Sequence, residues 1–286
     1  MQRVDFHAIV CTMENGTIMK KILFLLLFLL ISSFPLLSGE RVVSLSPALT
    51  ELICHLNQRH SLAGRCTACD YPLDIKQLPS AGNFGHPEVE KVFFLKPTWI
   101  IANDFMNPGA AKRFRQNGIA VDLRQIRTLE DYRWWVRRIG EKLSCQKIAA
   151  EELTRTNQLE KQLNSKKALP LKILWVVYDR PLMVAGPRSL PHQVITMMKM
   201  QNVAAAVPDE YFKCSWEWIL KNQPDWIIWT LPGKPQKNHR LWGKLTAVQK
   251  DRIIMDIMDD PVQRPGPRWL EAILRLRARL EKGTVR

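Results

Sequence analysis

One segment of this chain occurs twice. Glu90-Lys-Val-Phe-Phe-Leu-Lys-Pro-Thr-Trp-Ile-Ile101 is answered 127 residues later by Glu217-Trp-Ile-Leu-Lys-Asn-Gln-Pro-Asp-Trp-Ile-Ile228. Both copies read Glu, six residues, Pro, one residue, Trp-Ile-Ile. An acid favours the first turn of a helix, and the residue before a proline is pushed out of helical backbone. The apolar triplet that follows is suited to a buried strand. Each copy therefore predicts a short helix that stops at a proline and feeds a central strand. A solenoid repeats at periods of roughly 20–50 residues. Two copies this far apart instead predict two lobes of like build, with a ligand groove between them.

Residues 128–167 separate the copies and hold no proline and one glycine, Gly140. Leu129, Tyr132, Val136, Ile139 and Leu143 recur at three- and four-residue steps, which marks one buried helical stripe. The remaining positions are mostly good helix formers. The favoured expectation is a single stiff helix of roughly 60 Å, at about 1.5 Å per residue. Two helices broken near Gly140 or Ser144 are the alternative. A stiff strut predicts modest closure on ligand binding.

Met19-Lys-Lys precedes an unbroken apolar run, Ile22 to Ile31, then Phe34-Pro-Leu-Leu-Ser-Gly39. This order matches a secretory signal peptide, and the run is short for a membrane span. Translation starting at Met19 and cleavage near Ser38 or Gly39 are the expectation, with a periplasmic or other extracytoplasmic destination. No Cys stands at the cut to carry a lipid anchor. The expected division is a signal region over 1–39, an N-terminal α/β lobe over 40–126, a linking helix over 127–167 and a C-terminal α/β lobe over 168–286. The chain carries a formal +15, and residues 1–39 carry a net +1, leaving +14 for the mature part. Such charge attracts anionic surfaces. Its basic residues are scattered, and no nucleic-acid motif accompanies them, so no nucleic-acid partner is expected. Five cysteines remain, at 54, 66, 69, 145 and 214. An odd count leaves one unpaired in a monomer. Cys66-Thr-Ala-Cys69 lacks a second such pair or a nearby His for zinc, and reads as a plain loop or a local disulfide.

Alternating patterns predict strands over 41–45, 62–65, 99–102, 120–123, 172–177, 226–229 and 252–256. Helices are expected over 47–56, 88–95, 109–117, 189–200, 216–221 and 267–282. This alternation predicts α/β sheets, in which ligands sit outside the carboxyl ends of the strands. Loops at 66–72, 83–86, 103–107, 178–181, 230–235 and 258–267 are thereby nominated. They carry Phe84, Phe105, Tyr178, Asp260 and Arg264; Tyr211 and Phe212 join them if their loop faces the groove. Taken singly each reads as structural, for example Asp260 pairing with Arg264. Together they suit a large, partly apolar ligand with polar edges.

The chain resembles the extracytoplasmic substrate-binding proteins of ABC importers for cobalamin and ferric siderophores. Arg41-Val-Val-Ser-Leu-Ser-Pro-Ala-Leu-Thr-Glu-Leu, Cys69-Asp-Tyr-Pro72, Gly82-Asn-Phe-Gly85, Val89-Glu-Lys91, Leu95-Lys-Pro97 and Arg264-Pro-Gly-Pro-Arg268 carry the likeness across nearly all of the mature chain. Asp-Tyr-Pro and the closing Arg-Pro-Gly-Pro-Arg look closest to the cobalamin-binding members. The resemblance implies two α/β lobes bridged by one long backbone helix. It implies that Phe84 stands where cobalamin binders place a groove tryptophan, that Tyr211 lines the second lobe, and that Asp260 reaches the ligand. It implies that Glu90 and Glu217 dock onto arginines of the membrane permease. The position of a ligand-stacking tyrosine is Ala68 here, a departure from the pattern.

The expected function is capture of a corrinoid and its delivery to an ABC permease, by a monomer without a resident cofactor or metal. The transported ligand would be the corrinoid itself. A ferric siderophore or haem receptor of the same fold is the alternative, with Arg188 and Arg264 as basic groove residues. A secreted enzyme is more remote: the chain has no Gly-x-Ser-x-Gly elbow, no His-Glu-x-x-His and no phosphate-cradling glycine loop.

Overall fold

The computed structural model describes residues 39–257 and 261–284. The expected signal segment and Asp260 lie outside the described residues. The first lobe runs β1 (Val42–Ser44), α1 (Pro47–His55), β2 (Leu62–Arg65), β3 (Gly82–Asn83), β4 (His86–Pro87), α2 (Val89–Phe94), β5 (Trp99–Ala102), α3 (Pro108–Gln116) and β6 (Ala120–Leu123). Its four-stranded sheet has the order β2-β1-β5-β6 and every pairing is parallel. Parallel strands are covered on both faces, which is why Trp99, Ile100, Ile101 and Ala102 are all buried.

Two helices follow, α4 (Leu129–Lys142) and α5 (Gln146–Asn164). Thr128 and Asp131 close a reciprocal capping box that starts α4. The second lobe continues with β7 (Lys172–Asp179), β8 (Leu182–Ala185), α6 (Leu190–Met197), β9 (Gln201–Asn202), β10 (Tyr211–Lys213), α7 (Trp216–Asn222), β11 (Trp226–Trp229), α8 (Thr246–Gln249), β12 (Ile253–Ile254) and α9 (Trp269–Thr284). Its sheet runs β10-β8-β7-β11-β12, with β9 beside the start of β7. Strand alternation splits its core in two. Ile173 and Trp175 of β7 and Ile228 of β11 pack with α9 on one face, while Leu174, Val176, Ile227 and Trp229 pack with Trp242 and Leu245 on the other.

The expected single helix over residues 127–167 is corrected. One helix does bridge the lobes, but it is α5 alone; α4 belongs to the first lobe. Tyr132, Trp135, Val136 and Ile139 of α4 are in the first core, and α5 carries Ala149 into that core and Leu163 into the second. The break is a Schellman stop. Ser144 adopts φ +53°, the Cys145 N–H reaches the Gly140 carbonyl at 2.9 Å, and the Ser144 N–H reaches Glu141 at 3.4 Å. Gly140 itself lies within α4. A Cβ added there would meet the Ala149 Cβ at 2.7 Å, so glycine lets α4 and α5 approach closely.

Both copies of the repeat fold alike. Glu90 and Glu217 stand in the first turns of α2 and α7, and each copy ends in the strand that lies second from one end of its sheet path. The residues before the two prolines, Lys96 and Gln223, both turn left-handed, at φ +47° and +40°. The variable slot after each proline holds a matched hydrogen-bond ring. Arg41 N–H donates to Thr98 Oγ1 at 2.9 Å and Thr98 N–H to the Arg41 carbonyl at 2.9 Å. Lys172 N–H donates to Asp225 Oδ2 at 2.8 Å and Asp225 N–H to the Lys172 carbonyl at 2.9 Å. Each ring ties the repeat's strand to the strand that opens its lobe.

Candidate ligand groove

The order β2-β1-β5-β6 reverses direction between β1 and β5, and a crevice opens outside their carboxyl ends at such a switch point. A cavity of about 120 Å³ lies there. Ser46, Pro47 and Ala48 follow β1, Asn103 follows β5, and Gln125 and Ile126 follow β6. Leu190, Gln263, Arg264 and Pro265 close the cavity from the second lobe. The turn after β1 is held by its own side chains: Thr50 Oγ1 donates to Ser44 Oγ at 2.8 Å, and Ser44 Oγ to the Ser46 carbonyl at 3.2 Å. Sequence reasoning nominated neither this turn nor Gln125 and Ile126. The strand-end rule that chose the other loops would have found them.

Phe84 lines this cavity from the tip of the β3–β4 hairpin and keeps 37% of its surface exposed. Gly82 and Gly85 shape the tip with φ of +121° and +72°. Phe84 packs edge-on against Phe105, ring centres 5.3 Å apart. Arg264 also lines the cavity, but its guanidinium is engaged by the first lobe, Nη1 donating to Asp70 Oδ1 at 2.5 Å. Burial pushes the Asp70 carboxyl up, and the hydrogen bond and charge of Arg264 outweigh it, so the group titrates below the usual carboxylate range. Arg268 repeats the device: Nε and Nη2 fork onto Glu51 at 2.6 and 2.7 Å, and the guanidinium lies over the Tyr71 ring at 3.6 Å. The Arg-Pro-Gly-Pro-Arg motif is therefore an inter-lobe clasp. Nothing in the spacing of the sequence pointed to its acidic partners.

A second cavity, of about 520 Å³, is lined by Arg127, Thr128, Arg188, Gln193 and Glu210. Tyr211 on β10 follows the lining residue Glu210 and is itself exposed, but it lines neither cavity. Its hydroxyl is pushed up by burial and by Glu210, with Arg127 opposing. Arg127 pairs with Asp104 at 3.4 Å, and Arg188 donates to the Pro208 carbonyl at 2.7 Å.

Phe212, grouped with Tyr211 on sequence, is corrected. Neighbours on a strand point to opposite faces, and Phe212 packs edge-on against Trp218, ring centres 5.2 Å apart, in the second lobe's core. Tyr178 lies not in a loop but within β7, paired with Met183 of β8, and is half exposed. Neither cavity includes it.

Glu90 and Glu217 are both exposed, away from these cavities. The Glu90 side chain is 81% accessible, with Arg113 3.5 Å away.

Two α/β lobes, one bridging helix and a cleft at strand ends define a solute-binding protein that holds its ligand between lobes. The chain belongs to the periplasmic binding protein family, whose pattern matches residues 42–257. It is 27% identical to the vitamin B12-binding protein of Vibrio cholerae serotype O1 over 259 residues, covering 88% of this chain and 91% of that protein. It is 25% identical to the uncharacterized ABC transporter substrate-binding lipoprotein YvrC of Bacillus subtilis over 247 residues, 82% of this chain and 77% of that protein. The crystal structure of the periplasmic vitamin B12 binding protein BtuF of Vibrio cholerae superposes with a TM-score of 0.72 at 25% identity, covering 87% of this chain and 99% of that one. The periplasmic heme binding protein HutB of Vibrio cholerae shares the fold with a TM-score of 0.74 at 22% identity, over 85% and 99% of the two chains.

Proposed function

We propose that this chain captures a corrinoid outside the inner membrane and delivers it to an ABC permease. The observation that carries this reading is the cavity at the strand ends between the lobes, which Phe84 lines; the reading adds Tyr211, which follows Glu210 of the larger cavity, as the facing ring of the second lobe. Aromatic faces there offer a macrocycle apolar contact and dispersion. The vitamin B12-binding relatives across nearly the whole chain favour a corrinoid over other macrocycles. The protein acts as an exported monomer, after loss of its first 39 residues, and performs no chemistry on its cargo. Glu90 and Glu217, one per lobe, meet the permease.

A second reading rests on Arg127 and Arg188, which present two cations to the larger cavity. They suit an anionic chelate such as haem or a ferric siderophore. Ala68, where a stacking tyrosine is expected, removes one contact of the corrinoid reading. Titration of the purified protein with cyanocobalamin, haemin and a ferric catecholate, followed in the visible spectrum, separates the two. Tight binding of cyanocobalamin alone is the expected result. Binding of haemin or the catecholate in its place would transfer the function to the second reading.

A further inference from the structure

We infer that Cys66 and Cys69 close a disulfide in the exported protein, and that this bond braces the Asp70 arm of the inter-lobe clasp. The inference rests on the extracytoplasmic placement proposed above, because disulfides persist in oxidising compartments. Cys66 directly follows β2, and its N–H is fixed to the Ser44 carbonyl of β1 at 3.0 Å. A turn brings the Cys69 N–H to the Cys66 carbonyl at 3.1 Å, and the Thr67 N–H is held by the Gly82 carbonyl at 2.9 Å. The two sulfurs lie in contact at 3.1 Å, with the residues 0% and 1% exposed. A bonded pair needs about 2.05 Å, so the sulfurs must approach by about 1 Å.

Two other uses of such a pair fit less well. A metal site needs further ligands, and among the described residues no group of three His, Cys, Asp or Glu side chains is placed to hold one. An exchange catalyst places its attacking thiol in the open at a helix start. Here both thiols are buried, and Cys66 follows a strand. Cys69 also touches Thr50 Oγ1 at 3.1 Å, which ties the pair to the turn beneath the groove. Asp70 is the next residue, and it is the one that holds Arg264 across the groove.

The step balances as thiol–disulfide exchange with an external disulfide. One thiolate attacks the incoming disulfide and expels a thiolate. The second thiolate then attacks the mixed disulfide and expels the other half. The two cysteines lose two protons and two electrons, and the incoming disulfide is reduced to two thiols.

The test is refolding of the purified chain in a glutathione buffer poised at about −180 to −210 mV, followed by alkylation and trypsin. Cleavage after Arg65 and Lys76 leaves both cysteines in one peptide, residues 66–76. That peptide is expected two hydrogens lighter and unalkylated, while Cys54, Cys145 and Cys214 take the label. Alkylation at both positions, a glutathione adduct, or a bond to another cysteine would overturn the inference. Reduction should also speed amide exchange over residues 66–72 while the bridging helix keeps its protection; unchanged exchange would remove the bracing role. Because the bond is formed in vitro, cell fractionation tests export separately.

Discussion

The Glu152 carboxylate is buried to 1% side-chain exposure, yet it is densely hydrogen-bonded. It accepts from Tyr132 Oη at 2.7 Å, Arg155 Nε and Nη2 at 2.8 and 3.0 Å, and Thr156 Oγ1 at 3.1 Å, with His55 Nε2 at 2.8 Å. Burial pushes its pKa up, but these partners outweigh it and hold the group at about 2. A depressed carboxylate contributes stability that is complete above its unfolded value and lost as pH falls through the folded one. The drop from 4.5 to about 2 corresponds to on the order of 3 kcal/mol. Urea melts should therefore weaken progressively between pH 4.5 and 2, and Glu152→Gln should flatten that limb while lowering stability at pH 7. An unchanged acid limb in the variant would show that other groups set it. At the same scale, Phe84→Ala or Tyr211→Ala should weaken corrinoid binding by roughly 1–3 kcal/mol if the ligand buries the ring, with Phe212→Ala lowering stability instead. Calorimetry on the three variants and their thermal melts decides this, and unchanged affinity in the first two would remove both rings from the groove.

Among the elements, the α4–α5 pair decides how the lobes are joined. The two helices meet closely at Gly140 and Ala149, where a Cβ added to the glycine would sit 2.7 Å from the Ala149 Cβ. Gly140→Val should push the helices apart and cost about 1–3 kcal/mol, the usual penalty for overpacking. Ala149→Gly in the same chain should restore part of it, because contacting sites couple. A double-mutant cycle in urea measures this; strict additivity would place the strain elsewhere. The same pair makes the bridge a short one. Arg155 of α5 reaches Glu271 at 2.8 Å in the second lobe, while its neighbour Glu152 is bonded to the first. Both lobes thus grip one helix within a single turn, which favours small-amplitude closure.

At the scale of the whole molecule, the repeat places like acids on like helices of two lobes. A permease of two similar halves would offer two similar sockets, and complementary charge sets orientation and encounter rate. The acids are the minority sign on a chain of formal charge +15. Reversing both, Glu90→Lys with Glu217→Lys, should leave ligand affinity and melting temperature nearly unchanged while weakening permease association roughly tenfold or more. Co-purification with the permease and transport into vesicles read this out. Lost ligand binding with intact association would move both acids to the groove.

The sequence by itself determined the two lobes, because a helix stopped by proline before Trp-Ile-Ile is dictated locally by backbone sterics and burial. It also nominated the loop that carries Phe84, although it missed the turn after β1 and the loop after β6 that line the same cavity. It offered the end of α4 only as an alternative, near Gly140 or Ser144, because the left-handed stop is taken by Ser144, which carries none of the signal that glycine would. Nor did it separate Tyr211 from Phe212: their opposite directions depend on β10 pairing with β8, a register chosen only in the folded sheet. Asp70 with Arg264 and Glu51 with Arg268 lie 194 and 217 positions apart. No local pattern selects such partners, because their pairing follows from how two lobes close on one helix, and that only the tertiary structure decided.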